Sequence, residues 1–131
     1  MNKRIAVLST AWNGEHIGGI LRGIWNRAKQ TGDDIFIFNT YGGFQTEKEF
    51  NKCEYHIFDL AMKADIDGII ILSNSIYSTK KLRETVQRFI DSGLACISVE
   101  QDLEGIPCIG TDNYAAMCSM VEHLINVHGC K

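Results

Sequence analysis

Residues 4–39 read RIAVLSTAWNGEHIGGILRGIWNRAKQTGDDIFIFN, and this stretch decides the fold. Arg4–Ser9 is a short apolar run, a strand candidate. Asn13-Gly14 then opens a helix. Ile17, Ile20, Leu21, Ile24, Trp25 and Ala28 follow at spacings that form one continuous helical face. Thr31-Gly32 stops that helix, and Asp34–Asn39 (DIFIFN) is a second strand. Strand, helix and strand joined by links this short make a parallel βαβ unit.

The same alternation continues outward. Thr46 and Glu49 have capping-box spacing, which predicts a second helix with Phe50, Cys53, Ile57, Phe58 and Ala61 on its inner face. Gly68–Leu72 (GIIIL) is a third strand, whose unbroken apolar character suits a strand covered on both faces. A third helix is predicted from about Thr79 to Ser92, with Leu82, Val86, Phe89 and Ile90 inward and Gly93 at its end. Ala95–Val99 is a fourth strand and Pro107–Gly110 a short fifth. Asp112 caps a last helix that turns Met117, Met120, Val121, Leu124 and Ile125 inward. The fold class is α/β: a doubly wound parallel five-stranded sheet, order 2-1-3-4-5.

The chain has 131 residues, about one domain's length. Hydrophobic residues make up 45% and charged residues 22%, which excludes a disordered chain. The 13 Lys+Arg and 16 Asp+Glu give a net charge of −3 with no basic block, so no nucleic-acid contact is expected. No apolar run approaches a membrane span, and the N-terminal run is too short for a signal-peptide core. The five cysteines, Cys53, Cys96, Cys108, Cys118 and Cys130, form no CxxC. They are expected as reduced thiols in a cytoplasmic protein, most of them beside apolar residues as buried small hydrophobes.

Open α/β sheets bind ligands at the C-terminal ends of their strands. The loops there are Thr10–Asn13, Thr40–Phe44, Ser73–Tyr77, Glu100–Asp102 and Thr111-Asp112. They carry no GxGxxG and no Walker lysine. The hydroxyl-rich Ser9-Thr10 start is similar to the phosphate loop of flavodoxins, which leaves a flavin protein as an alternative. A phosphoacceptor receiver is excluded, because Ser9-Thr10 and Ser73-Asn74 stand where magnesium-binding carboxylates are needed. Asp33-Asp34 and Asp65/Asp67 precede strands, at the wrong edge for a site, and read as turn residues.

Cys118, His123 and His128 are spaced by fives; each step rotates a helix by roughly 140°, so the three are not expected to converge. His128 and Cys130 alone would not make a structural zinc site. His16 is expected as a first-turn surface residue. Neither it nor His56 has a base or nucleophile within reach in sequence, and no catalytic set, metal site or cofactor is expected.

What remains is a rim of neutral hydrogen-bonding groups with aromatics. The candidate ligand-binding residues are Thr10, Trp12, Asn13, Tyr41, Ser73, Asn74, Gln101 and Asp112, with Ser75 and Tyr77 nearby. A flat ring such as Trp12 beside polar groups suits a sugar or nucleoside, which stacks on the ring and hydrogen-bonds at its edge. The alternative for Trp12 is a staple over the start of the first helix.

The stretches IAVLST, GGILRGIWNRAKQTGDDIFIFNT, DGIIILSNS and ACISVEQDLEGIPCIGTDNYAA, then EHLINVHGCK, together resemble the type 1 periplasmic-binding-protein fold. LacI-type repressors, ribose-type binding proteins and related cytosolic sensors share that fold. The elements carrying the resemblance are Asp67-Gly68, Glu100, Asp112-Asn113, His123-Leu124 and Gly129. Departures are Cys130-Lys131 for the usual His-Arg, Ala116 for glycine, Glu100-Gln101 for Asp-Arg, and Trp12-Asn13 for Asn-Pro-Phe-Phe.

The resemblance implies that residues 1–131 are the N-terminal lobe of a two-lobe sensing domain whose second lobe and output domain lie outside this sequence. It implies an effector-binding, non-enzymatic role in a cytoplasmic transcriptional regulator or signalling sensor. It also implies a homodimer, with Trp25 near one interface. Asn51–Ile70 further resembles sensor lobes that precede a diguanylate cyclase (GGDEF) or a histidine kinase. A secreted solute-binding protein is a further alternative.

Overall fold

Seven-residue runs at Arg4–Thr10 and Asp34–Thr40 form β1 and β2, and α1, Glu15–Thr31, crosses between them. The computed structural model describes residues 2–10, 14–41, 53–76 and 79–130. The helix stops where expected: Gly32 sits at φ 76°, and its N–H donates to the Ala28 carbonyl at 2.8 Å. Then come α2 (Ile57–Lys63), β3 (Gly68–Ile71), a single 3₁₀ turn (Ser73–Ser75) and α3 (Thr79–Asp91). The described chain closes with β4 (Ala95–Val99), β5 (Cys108–Ile109) and α4 (Asn113–His128). The expected capping box at Thr46 and the inward Phe50 lie outside the described residues.

The sheet is parallel throughout, in the order β2-β1-β3-β4-β5. In register, Leu8 faces Phe38 on one side and Ile71 on the other, and Ile71 faces Ser98. Paired residues point to the same face, so Ala6, Leu8, Ile69 and Ile71 form one apolar surface. Phe58 and Ala61 of α2 and Leu82, Val86 and Phe89 of α3 bury it. Each such large side chain contributes about 1.5–3 kcal/mol on burial.

The opposite face is thinner. Ile5, Ile35, Ile70 and Ile97 are half-buried there, and an apolar crevice runs beneath Ile24 and Ala28 of α1. The expectation that β3 is covered on both faces therefore holds for Ile69 and Ile71 but not for Ile70.

Two further expectations are corrected. No residue of α4 is buried. Met117, Met120, Val121, Leu124 and Ile125, expected inward, are 44–58% exposed. The helix leaves the two-residue edge strand β5 and finds no buried seat on this sheet. Periodicity shows that a helix has an apolar face, not what covers it. The cysteines are not buried either: Cys53, Cys108 and Cys130 are exposed, and Cys96 and Cys118 are half-buried. Their apolar sequence neighbours on β5 and α4 are themselves exposed. Partial burial still pushes the Cys96 thiol up.

At the N-terminal edge the predicted turn aspartates clamp the start of β1. Asp33 accepts the Lys3 N–H at 2.8 Å. Asp67 accepts the Arg4 N–H at 2.8 Å and the Lys3 ammonium at 2.9 Å. The Arg4 backbone bond first, and the Lys3 side chain second, hold the Asp67 carboxyl below its ordinary value; the Thr31 hydroxyl and then the Lys3 backbone do the same for Asp33.

A carboxyl lowered on folding stabilises the fold above its unfolded value, and that contribution is lost as pH falls through the lower folded value. Acid unfolding followed by circular dichroism should therefore show Asp67→Asn less stable than wild type at pH 7. The gap should narrow as pH falls through and below about 4. A gap that stays constant from pH 7 to pH 2 would exclude a role for the ionised carboxylate.

Candidate functional site

The chain runs from β1 to β2 on one side and returns to β3 on the other. The winding therefore reverses at β1, and the C-terminal ends of β1 and β3 form the sheet edge where open α/β sheets bind ligands. Short hydroxyl side chains knit its floor. The Thr10 N–H donates to Ser75 Oγ at 2.9 Å, and that hydroxyl donates to the Leu72 carbonyl at 2.6 Å. Thr40 Oγ1 donates to Thr10 Oγ1 at 3.0 Å, joining β2 to β1. Ser73 Oγ donates to the Val99 carbonyl at 2.6 Å and lies 2.8 Å from Ser98 Oγ, joining β3 to β4. Ser98 in turn donates to the Gln101 carbonyl. These five side chains are buried, and every one has a partner, as buried hydroxyls require.

Above the floor lies a more exposed tier. Asn74 Nδ2 donates to Glu100 Oε2 at 3.1 Å, and His16 Nε2 lies 2.5 Å from Glu100 Oε1. Glu100 has φ 74°, the one non-glycine residue with positive φ among the described residues. Backbone held in that region is costly and persists only where its surroundings fix it. Here the Glu100 N–H donates to the Ile109 carbonyl at 2.7 Å, and Gly110 passes beneath. A Cβ at Gly110 would lie 3.5 Å from Glu100 Cα.

The predicted residues divide accordingly. Thr10 and Ser73 are in the floor, with their hydroxyls engaged. Asn74 and Gln101 stand beside them, exposed and half-buried respectively. Tyr41 is exposed just past β2, on a groove of about 440 Å³ shared with Asn39, Thr40 and Ile57. Asp112 is exposed and caps α4 as predicted, its Oδ1 accepting the Ala115 N–H at 2.9 Å. The hydrogen bonds form three separate sets along one strand-end edge, Thr10 with Ser75 and Thr40, Ser73 with Ser98 and the Gln101 carbonyl, and Asn74 with Glu100; none of them reaches Asp112. Trp12, Asn13 and Tyr77 lie outside the described residues. Glu100, placed by the sequence in a strand-end loop, was not among the candidate ligand-binding residues. Its signal was position, first after β4, and no pattern could show that Asn74 and His16 converge on it.

The histidines also differ from expectation. His123 and His128 do meet, with ring centroids 5.0 Å apart and edge to face. The 140° step describes Cβ directions, whereas the rings lie at the ends of longer side chains. Among the described residues no three His, Cys, Asp or Glu side chains are grouped to hold a metal. His16 is a first-turn surface residue as expected, and it also reaches Glu100. His56 Nδ1 lies 3.0 Å from Asp59 Oδ2, and Arg88 bonds the other oxygen of the same carboxylate. Burial works to raise the Asp59 carboxyl, but the bonds from His56 and Arg88 together outweigh it, and the group is lowered. These three residues tie α2 to α3 on the outside of the lobe.

No protein-family model matches the sequence, and no curated sequence does. Solved structures do match in fold. The LacI family transcriptional regulator CCPA from Weissella paramesenteroides, with bound sucrose, aligns at TM-score 0.72 and 16% identity over 94% of this chain and 42% of that one. An ABC sugar transporter subunit from Rhodobacter sphaeroides aligns at 0.74 and 12%, over 97% and 42%. The Caulobacter myo-inositol binding protein bound to myo-inositol aligns at 0.74 and 15%, over 97% and 41%. The class is thereby defined: the chain has the fold of one lobe of a type 1 periplasmic-binding protein. It spans about two fifths of each of these structures.

The division into floor and upper tier has a measurable consequence. Ser73→Ala removes a buried partner from the Val99 carbonyl and Ser98, and should cost about 1–3 kcal/mol in urea unfolding. Asn74→Ala, at the exposed tier, should change stability by less than about 0.5 kcal/mol. Equal losses for the two variants would dissolve the distinction.

Proposed function

We propose that this chain is the effector-binding lobe of a cytoplasmic, LacI-family-like transcriptional regulator or signalling sensor. In this reading it binds a small polyhydroxylated ligand, of the sugar or nucleoside class, in a cleft between two lobes. The observation that carries the proposal is the rim itself, a floor of satisfied hydroxyls at the winding reversal topped by Asn74 and the Glu100 carboxylate that it holds. Such a surface presents directional donors and acceptors without a nucleophile–base pair, and so favours recognition over catalysis. Tyr41, Asn74, Gln101 and Asp112, with Trp12 and Asn13, are assigned to the ligand. Thr10 and Ser73 are assigned to holding the loops that carry them. Solved neighbours with sucrose, 5-methylthioribose and myo-inositol support the ligand class.

The second lobe is assigned to sequence beyond residues 1–131. The exposed apolar residues of β5 and α4 support this, Ile109 and Met117 above all. Exposed Trp25 on α1 is the surface offered to a second copy in a homodimer, and the β5 and α4 residues are open to one only where the second lobe is missing. A transporter solute-binding protein is the second reading, supported by the transporter-type neighbours. The five cysteines, none of them disulfide-bonded, favour the cytoplasmic one.

In the complete protein, Trp12→Ala and Asp112→Ala should each weaken effector binding by about tenfold or more in calorimetric titration. Loss of the cap alone should cost about 0.5–2 kcal/mol of stability. Wild-type affinity in both variants would overturn the site assignment. Residues 1–131 alone should bind that effector weakly and self-associate with rising concentration in light scattering. A strictly monomeric fragment with micromolar affinity would contradict both expectations.

A further inference from the structure

A groove of about 590 Å³ lies between α3 and the β4–β5 connection, and of the residues assigned to the effector it contains only Gln101. Its floor is apolar: Val86 and Leu103 are buried, and Ile90 is half-buried. The α3 wall carries Arg83 and Gln87. The opposite wall carries Gln101, Asp102 and Glu104. Among the described residues, Arg83, Asp102 and Glu104 form no ion pair or side-chain hydrogen bond, with one another or with any other group. Elsewhere on the same helices charges are paired, as Arg88 is with Asp59 and Lys81 with Glu84.

The walls are held in place. Leu103 anchors one in the core, and Ser98 fixes the Gln101 carbonyl. Gly105 has φ 87°, a conformation that favours glycine, and it brings the connection close to Ile90 of α3, whose Cδ1 lies 2.9 Å from where a Cβ would be.

Opposite charges on facing walls, unpaired, above an apolar floor define a ligand chemistry by elimination. A simple anion would meet two carboxylates, a simple cation would meet the guanidinium, and a neutral polyol would leave all three charges unmatched. We propose that this groove is a second binding site, for a zwitterion of the amino-acid or short-peptide class. Its carboxylate sits on the Arg83 guanidinium, its ammonium between Asp102 and Glu104, and its apolar part over Val86 and Leu103. The site meets the proposed effector residues only at Gln101 and does not rest on that reading.

The test is a two-dimensional ¹⁵N NMR titration of the 131-residue chain with L-glutamine and with the dipeptide glycylglycine. Glycine methyl ester supplies the positive charge alone, and acetate the negative. Saturable shifts at Arg83, Gln87 and residues 101–105, with affinity on the order of millimolar, are expected for at least one zwitterion and for neither singly charged probe. The stronger of the two zwitterions identifies the free amino acid or the peptide as the source. Arg83→Gln, which alters an exposed side chain, should weaken binding by about fivefold or more with an unchanged melting temperature, while Lys80→Gln on the same helix leaves it unchanged. No saturable shift with either zwitterion, equal shifts with acetate, or an equal loss in Lys80→Gln would overturn the proposal.

Discussion

The reversal of winding at β1 is the constraint on which the rest of the lobe depends. Because β2 and β3 flank β1 in parallel register, the chain must leave the C-terminal end of β1 in one direction and that of β3 in another. The backbone between those ends would open to water, and the Thr10–Ser75 hydrogen bond closes it from within. The Ser73–Ser98–Val99 contacts repeat the device one strand further out. The sheet thus ends in a polar yet fully satisfied floor. That combination fixes the strand ends without leaving a buried hydroxyl unpaired.

The two edges of the sheet divide the labour through charge. At the N-terminal edge, Asp33 and Asp67 accept backbone N–H groups from the start of β1, and Lys3 completes the clamp. At the C-terminal edge the floor is neutral, and Glu100 is held in the tier above by Asn74 and His16. The one backbone outlier, Glu100, lies where loops from β3, β4 and β5 meet. Strain at that kind of junction is what a recognition surface can carry when its neighbours over-determine it.

Much of this was legible in the sequence, for physical reasons. Six apolar positions on α1 and the unbroken GIIIL of β3 each have one low-energy solution, and glycines 32 and 93 adopt the positive φ that ends a helix. The Asp112 cap is a local bond between residues three apart, so spacing reveals it. The misses concern long-range matters. Whether Met117 or Cys108 is buried depends on what lies over α4 and β5, and no local pattern encodes that. Ser73 is indistinguishable in sequence from Asn74, yet one faces Ser98 in the floor and the other reaches Glu100. The convergence of His123 and His128 was missed because helical rotation fixes where a side chain starts, not where its ring ends.

The most direct measurement of the central claim is amide hydrogen exchange on the complete protein, with and without a pool of monosaccharides, cyclitols and nucleosides. If the strand-end rim is the effector site, added protection should appear at residues 73–75 and 100–102 and at Asp112. The N-terminal edge around Asp33 and Asp67 should not change. Protection confined to that N-terminal edge, or to the outer face of α2 and α3, would contradict the assignment of the strand-end rim to ligand recognition.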